Sequence, residues 1–457
     1  MRRLAVLDVG KTNVKLAVLD QRGAVLCERR RANRVLDVPP YPHYDVDGIW
    51  RWLLAELGEA AGRYPVDAII TTTHGACAAL VSDSALALPV LDYEHPAPEL
   101  FSADYAGLCD GFALTYSPNL PAGLNLGRQL YWQARAFPGE FSQVRQILLY
   151  PQYWSWRLSG VAAAEVTSLG CHTDLWQPGS GVFSRLATLT GWDRLFPPLY
   201  PAWQTLGRVL PEIAAQTGLS PQCEVISGIH DSSASLLRHL LGRSRGEPSC
   251  VVSTGTWAIV AAVGASLEAL DGERDMLANV DVFGRPVACA RFMGGREFAA
   301  LNDPPAAGCA AADIAALVER GVFAVPAFAD AGGPFIGRRG RVRGGIAGNG
   351  AERYALASLY CALLTDYCLS ALGAEGDIVI EGSFTPNPHY AALLAALRPQ
   401  QQVSLSSDAA GTLGGAYLLG NWGNAHPAAP CTAVAAFREC DLRAYRECWL
   451  QYCSTAQ

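Results

Sequence analysis

One pattern occurs twice, about half a chain apart, and constrains the fold more than any other feature. It is an apolar run, a polar turn built on glycine and threonine, and a second apolar run. The first copy, Leu4 to Gly23, reads LAVLDVGKTNVKLAVLDQRG, and the second, Cys250 to Gly264, reads CVVSTGTWAIVAAVG. Each reads as a buried strand, a turn and a return strand. Two short hairpins can match by chance, so the repeat gains weight only from its surroundings. Those surroundings alternate. Asp67 to Thr73 reads as a strand ending at His74-Gly75, and Ala78 to Asp92 as a strand, a Ser-Asp-Ser turn and a further apolar run. Leu124 to Phe137 reads as a helix, and Arg145 to Gly160 as a strand leading into a helix. After a polar stretch at Gly242 to Pro248 and the second hairpin, a glycine-rich stretch (Gly332 to Gly350) precedes a long helix over Ala351 to Leu372. Ile378 to Leu397 then reads as strand, loop and helix, and Gly411 to Gly420 as a glycine-opened helix. Alternation of this kind predicts α/β layers. A repeated hairpin within it predicts two related domains around a nucleotide.

The first hairpin is where phosphate chemistry is easiest to build. The chain has 35 lysines and arginines, and its only two lysines, Lys11 and Lys15, both lie in this hairpin. At the tip, Gly10 lets a backbone approach closely, Thr12 and Asn13 offer donors, and the two ammonium groups are compact point charges. Asp8, at the end of the first strand, is suited to hold Mg²⁺ through water, because that ion dehydrates reluctantly. A plain surface hairpin with two solvated lysines, in a chain whose composition favours arginine, fits the same residues.

Composition removes several classes. The 457 residues suffice for two or three domains with substantial cores. No apolar run approaches the roughly 20 residues of a membrane helix. The first strand follows Met-Arg-Arg directly, without a signal-peptide core, so the expected location is the cytoplasm. Net charge is −7 and basic blocks are confined to Arg29–Arg31 and Arg338–Arg343, which disfavours nucleic acid as a partner. The 14 cysteines form no CxxC pair and no zinc spacing, so they are expected as free thiols.

Five motifs in order and spacing then resemble one family. DVGKTNVKL resembles the first phosphate hairpin of the FGGY carbohydrate kinases, and STGTW the second. SGIHDSSASLL, from Ser227, resembles their catalytic-aspartate segment, IEGSFTPN their adenosine motif, and GTLGGAYLLG their closing helix. Within the family, His230-Asp231-Ser232 and Ser253 to Trp257 are most similar to rhamnulokinases. The resemblance implies an α/β fold of two ribonuclease-H-like domains, of the actin and sugar-kinase superfamily, with a central active-site cleft. The implied domains are 1–243, with the sugar site, first phosphate hairpin and catalytic aspartate, and 244–457, with the second phosphate hairpin and adenosine site. Two departures stand out. The family's helix glutamate has no match near Ala357-Ser358-Leu359-Tyr360, and the Trp–Asp–Arg segment of glycerol kinases is replaced by Leu91-Asp92-Tyr93-Glu94-His95. The segment RFMGGREF, Arg291 to Phe298, matches no substrate subgroup.

The implied chemistry is ATP- and Mg²⁺-dependent phosphorylation of a small ketose or deoxyketose, resembling rhamnulose, fuculose or xylulose. Asp231 is the implied general base, although it also suits a helix N-cap before the apolar run that follows. The implied sugar contacts are His74, Gly75, His230, Asp231 and Ser232. For the two histidines, a packed position in the interior is the alternative. The implied ATP contacts are Gly10, Lys11, Thr12, Asn13, Lys15, Gly255, Thr256, Gly382, Ser383 and Asn387, with Asp8 for the metal. Arg296 suits the cleft or a surface ion pair equally. Trp154, Trp156 and Trp176 read as core or interface residues rather than sugar platforms. The expected partner is the sugar, with no nucleic acid and no membrane, and a homodimer left open. A nucleotide-binding sensor or regulator without sugar kinase activity is the competing reading.

Overall fold

The computed structural model describes residues 1–83, 85–241, 243, 247–345, 348–406, 411–424 and 429–455. Most of the polar stretch Gly242 to Pro248 lies outside the described residues, as do Ser84 of the Ser-Asp-Ser turn and Ile346 and Ala347 of the glycine-rich stretch. The chain forms two compact units. The first comprises Met1–Arg243, Ala278–Pro286 and Ala410–Ala428, and the second the remaining segments, Ser244–Leu277, Val287–Ala409 and Ala429–Gln457. The expected division at 243/244 differs from this in two short segments, which return to the first unit.

The first unit is built on strands β1 (Leu4–Val9), β2 (Asn13–Leu19), β3 (Val25–Ala32), β4 (Ala68–Thr73), β5 (Thr205–Arg208) and β6 (Glu224–Ile226). Their order across the sheet is β5-β6-β4-β1-β2-β3. β2 runs antiparallel to both of its neighbours, β1 and β3, whereas β4 runs parallel to both β1 and β6. Side-chain alternation explains why β1 reads as an unbroken apolar run. Leu4 and Val6 join one buried cluster with Ala17, Leu19 and Ile70. Ala5, Leu7 and Val9 join another with Val14, Leu16, Val18 and Ile69. Both sheet faces are therefore covered, and neither leaves room for polar alternation.

Helices Val46–Ala61 and Tyr150–Ser159 cover one face, through Ile49, Leu53, Leu57, Tyr153, Trp154 and Leu158. Helices Asp231–Leu240 and Gly411–Gly420 cover the other, through Ala234, Leu237, Leu413, Ala416 and Leu419. These last two helices cross in near backbone contact. A Cβ on Gly415 would sit 1.9 Å from the Ala234 carbonyl oxygen, so only glycine permits this approach. Trp154 and Trp176 are buried in core clusters, and Trp156 packs at the edge of one.

The second unit repeats the plan. Its strands are β7 (Ser249–Thr254), β8 (Ala258–Val263), β9 (Pro286–Phe292), β10 (Asp377–Gly382), β11 (Val403–Ser406) and β12 (Cys431–Ala433). They lie in the order β9-β8-β7-β10-β11-β12. Again the first three strands are antiparallel, and β10 runs parallel to both β7 and β11. Each unit thus has the ribonuclease-H-like order of third, second and first strand followed by a parallel fourth. The helix Gly350–Ala371 is apolar around most of its circumference and buried along most of its length, between neighbouring helices. Among the described residues, no helix is long and apolar enough to cross a membrane. Among the described residues, no two cysteines form a disulfide.

Candidate active site

Three strand ends meet in the first unit. Asp8 and Val9 of β1 lie beside Thr72 and Thr73 of β4, and Ile229 and His230 pair with the same two threonines from the other side. All three segments run parallel, so Asp8, His74-Gly75 and Asp231 gather at their carboxyl ends. Ligands bind at that edge in open α/β sheets. The helix Asp231–Leu240 begins at Asp231 itself, with His230 in the capping position. Asp231 is therefore not the N-cap. Its Oδ1 accepts from the Ser232 N–H at 2.6 Å and the Ser232 hydroxyl at 3.2 Å, and His230 Nε2 stands 3.3 Å away. A negative charge at the first turn is favoured by the helix dipole. The Asp231 side chain remains 29% exposed, so a substrate can reach it.

Burial dominates the electrostatics here. It lowers both His74 and His230 to about 4, so both rings are neutral at pH 7. His74 Nδ1 donates to the Gly75 carbonyl at 2.9 Å, which leaves Nε2 as a buried acceptor without a partner among the described residues. Burial also raises the Asp231 carboxyl, against the pull of His74 and the Ser232 donors. Asp8 is raised to about 6 by burial, partly offset by Lys15 and pushed further up by the charge of Asp231. Lys15 faces Asp8 across the hairpin, with its Nζ 3.3 Å from Oδ2.

The hairpin tip carries Thr12 and Asn13 exposed, joined by an Asn13 Nδ2 to Thr12 Oγ1 bond of 3.1 Å. Gly10 closes the turn by donating to the Asn13 carbonyl. Lys11 departs from expectation. Its ammonium does not stand open at the tip but is bound to Asp92 Oδ1 and to Glu94 Oε2 at 3.1 Å.

In the second unit, Gly255 and exposed Thr256 form the turn between β7 and β8, and the Gly295 N–H donates to both of their carbonyls. Gly382 ends β10 with φ +90°, and a Cβ there would lie 2.0 Å from the Thr254 carbonyl oxygen. Exposed Ser383 donates its N–H to that oxygen at 2.7 Å, so this turn is tied to the hairpin beside it. Asn387 has a structural role that the sequence reading did not assign. It is buried, its Oδ1 caps the helix Pro388–Leu397 by accepting from His389 and Tyr390, and its Nδ2 donates to Ser358 at 2.8 Å. Its oxygen and one of its two Nδ2 hydrogens thus serve the local structure. Arg296 is exposed.

Sequence reasoning missed three supports. Thr167 Oγ1 accepts from the His230 N–H at 3.1 Å and donates to fully buried Glu165 at 2.5 Å, bracing the backbone just before Asp231. Asn33 Nδ2 donates to the Gly10 carbonyl at 2.8 Å and holds the hairpin turn. Glu297, from the unassigned RFMGGREF segment, is buried and accepts from Tyr360 at 2.5 Å and from the Phe328 N–H. A carboxylate therefore stands beside the middle of the long helix, at Tyr360, supplied by a different element. In each case the signal exists only as a contact between distant segments.

Comparison with known proteins agrees with this geometry. Residues 123–238 match the N-terminal domain of the FGGY family of carbohydrate kinases, and residues 246–429 match the family's C-terminal domain. An L-fuculokinase from Salmonella typhi is 26% identical over 266 residues, 56% of each chain. A probable L-xylulose kinase from Pasteurella multocida is 24% identical over 274 residues, 56% of this chain and 55% of that one. The chain thus spans about half the length of these curated relatives. A crystal structure of a carbohydrate kinase from Novosphingobium aromaticivorans superposes with a TM-score of 0.91 at 36% identity, covering 100% of this chain and 99% of that one. The chain belongs to the FGGY family of carbohydrate kinases.

Proposed function

We propose that this protein transfers the γ-phosphoryl group of ATP to a hydroxyl of a small ketose or deoxyketose of the rhamnulose, fuculose or xylulose kind. The observation that carries this reading is the meeting of Asp8, His74 and Asp231 at three parallel strand ends, with Asp231 both oriented and partly open. The names of the L-fuculokinase and L-xylulose kinase relatives support a ketose. The likeness of His230-Asp231-Ser232 to rhamnulokinases keeps rhamnulose in the set.

In this account the Asp231 carboxylate accepts the proton of the sugar hydroxyl as its oxygen attacks the γ-phosphorus. The bridging bond to the β-phosphate breaks and ADP leaves. Ser232 holds the carboxylate in place, and neutral His230 offers it an Nε2–H. His74 Nε2, a buried acceptor, takes a second sugar hydroxyl. In the first unit Gly10, Thr12 and Asn13 are assigned to phosphate; in the second, Gly255 and Thr256 are assigned to phosphate and Gly382 and Ser383 to adenosine. Lys15 keeps Asp8 ionised.

The residues suit a magnesium ion. Asp8 and Asp231 are two carboxylates whose ionisation is opposed by burial, and each would gain from a cation. No group of three or more acidic, histidine or cysteine ligands occurs among the described residues. Mg²⁺ commonly takes one or two carboxylates and completes its shell with phosphate and water. When bound, it neutralises charge on the phosphate oxygens. The cytoplasm is the setting we assign to this activity.

A coupled assay of ADP release over ketoses, deoxyketoses and alditols tests the proposal. Sugar-dependent release, with one phosphate ester formed per ADP, is the expected result. ATP binding without release for any sugar would instead indicate a sensor or regulator.

A further inference from the structure

Lys11 sits in a phosphate-type hairpin, yet its surroundings are those of a sugar site. Its ammonium binds Asp92 Oδ1 and Glu94 Oε2 and lies over two rings, 4.7 Å from the Tyr93 centroid and 5.3 Å from that of Tyr44. The same two rings pack on His74, with centroids at 5.4 and 5.3 Å. Lys11 also contributes to the lowered pKa of His74. Aromatic faces and paired carboxylates hold the charge where it is. Drawing it toward a phosphate would leave Asp92, only 8% exposed, without its cation.

What the contact does for Asp92 is specific. Oδ1 collects three donors: Lys11 Nζ, the Tyr44 hydroxyl at 3.2 Å and the Glu94 N–H at 3.2 Å. Oδ2 has no hydrogen-bond partner among the described residues. One oxygen is thus anchored while the other remains an acceptor, which a sugar hydroxyl can use. The cluster holds one ammonium between two carboxylates, so its local balance is negative. A neutral hydroxyl is welcome there and a carboxylate or phosphate is repelled.

We propose that Lys11 is a positioning residue for sugar recognition, acting through Asp92, and that this end of the site selects neutral polyhydroxy substrates over sugar acids. The proposal rests on the kinase reading above and deepens it. It moves Lys11 from the nucleotide to the sugar.

The test compares wild type with Lys11→Met, Lys11→Arg, Asp92→Asn and the double variant Lys11→Met/Asp92→Asn. It uses the best neutral ketose from the ADP-release panel and the matching aldonate. Lys11→Met should raise KM for the ketose about tenfold or more and change KM for ATP by no more than about twofold. The double variant should be no worse than the worse single, because the two residues act as one unit. Wild type should prefer the ketose over the aldonate by roughly 100-fold, and Asp92→Asn, which leaves the ammonium unbalanced, should narrow that preference. Lys11→Arg keeps the charge but not the compact geometry, and it is read the same way should Lys11→Met fail to fold.

A raised KM for ATP with an unchanged KM for ketose would overturn the proposal, as would single effects that simply add. Equilibrium titration with ATP separates this outcome from failure of the kinase reading. If wild type turns over no sugar, the kinase reading falls by itself. Unchanged ATP affinity in Lys11→Met then still keeps Lys11 away from the phosphates, whereas weakened affinity returns it to them.

Discussion

Asp8 is a residue that the fold would sooner keep protonated. Burial raises its carboxyl from 3.8 to about 6 even with Lys15 beside it. Below about pH 4 the group carries its proton in both the folded and the unfolded chain. Between there and pH 6 the folded chain holds a proton that the unfolded chain has lost, so stability falls as pH rises through this window. By pH 7 the loss is on the order of 3 kcal/mol. Asp8→Asn removes the ionisation and keeps the shape. Without divalent cations the variant should therefore be more stable than wild type above pH 6, by an amount of that order, and should converge with it below pH 4. Mg²⁺-dependent turnover should be lost. Urea denaturation across pH checks this, and a difference independent of pH would mean that Asp8 is not strained. Such strain is common where a site is prepared for a ligand it does not yet hold.

At the scale of elements, the approach of helices Asp231–Leu240 and Gly411–Gly420 links packing to catalysis. Gly415→Ala must push the Ala234 carbonyl away, and that helix begins at Asp231. We expect a stability loss of about 1–3 kcal/mol together with reduced turnover. Wild-type values for both, by urea denaturation and by the ADP-release assay, would show that the crossing relaxes without moving Asp231. The helix Gly411–Gly420 was legible in the sequence, because its small residues and apolar run have few other uses. Which of its glycines meets another backbone was not, since the partner lies about 180 positions away. Asn387 shows a second limit. A strand, a loop and a helix were read correctly over Ile378 to Leu397, but an asparagine before a helix can cap it or bind a ligand. Here the side-chain oxygen caps the helix, and one Nδ2 hydrogen goes to Ser358 on a distant helix. Lys11 shows a third. Its place at the hairpin tip was evident, but the direction of a long flexible side chain was decided by Asp92, some 80 residues on.

Across the whole molecule, the repeated hairpin was a sound guide because it reflects a repeated topology. In each unit the hairpin strands continue into a third antiparallel strand, and a parallel fourth lies beside the first. The sequence did not reveal that the chain returns twice to the first unit, at Ala278–Pro286 and Ala410–Ala428, although the helix within the second of these segments was legible. The concentration of both lysines in one hairpin also has a physical account, since each pairs with an acidic residue of the candidate site.

The central claim is that Asp231 takes the sugar's proton during phosphoryl transfer. Steady-state turnover of Asp231→Asn beside wild type, with the best sugar of the panel and with ATP affinity measured in parallel, tests it most directly. The account predicts a fall of roughly 10²–10⁴-fold in turnover with ATP affinity little changed. Turnover near that of wild type would contradict it.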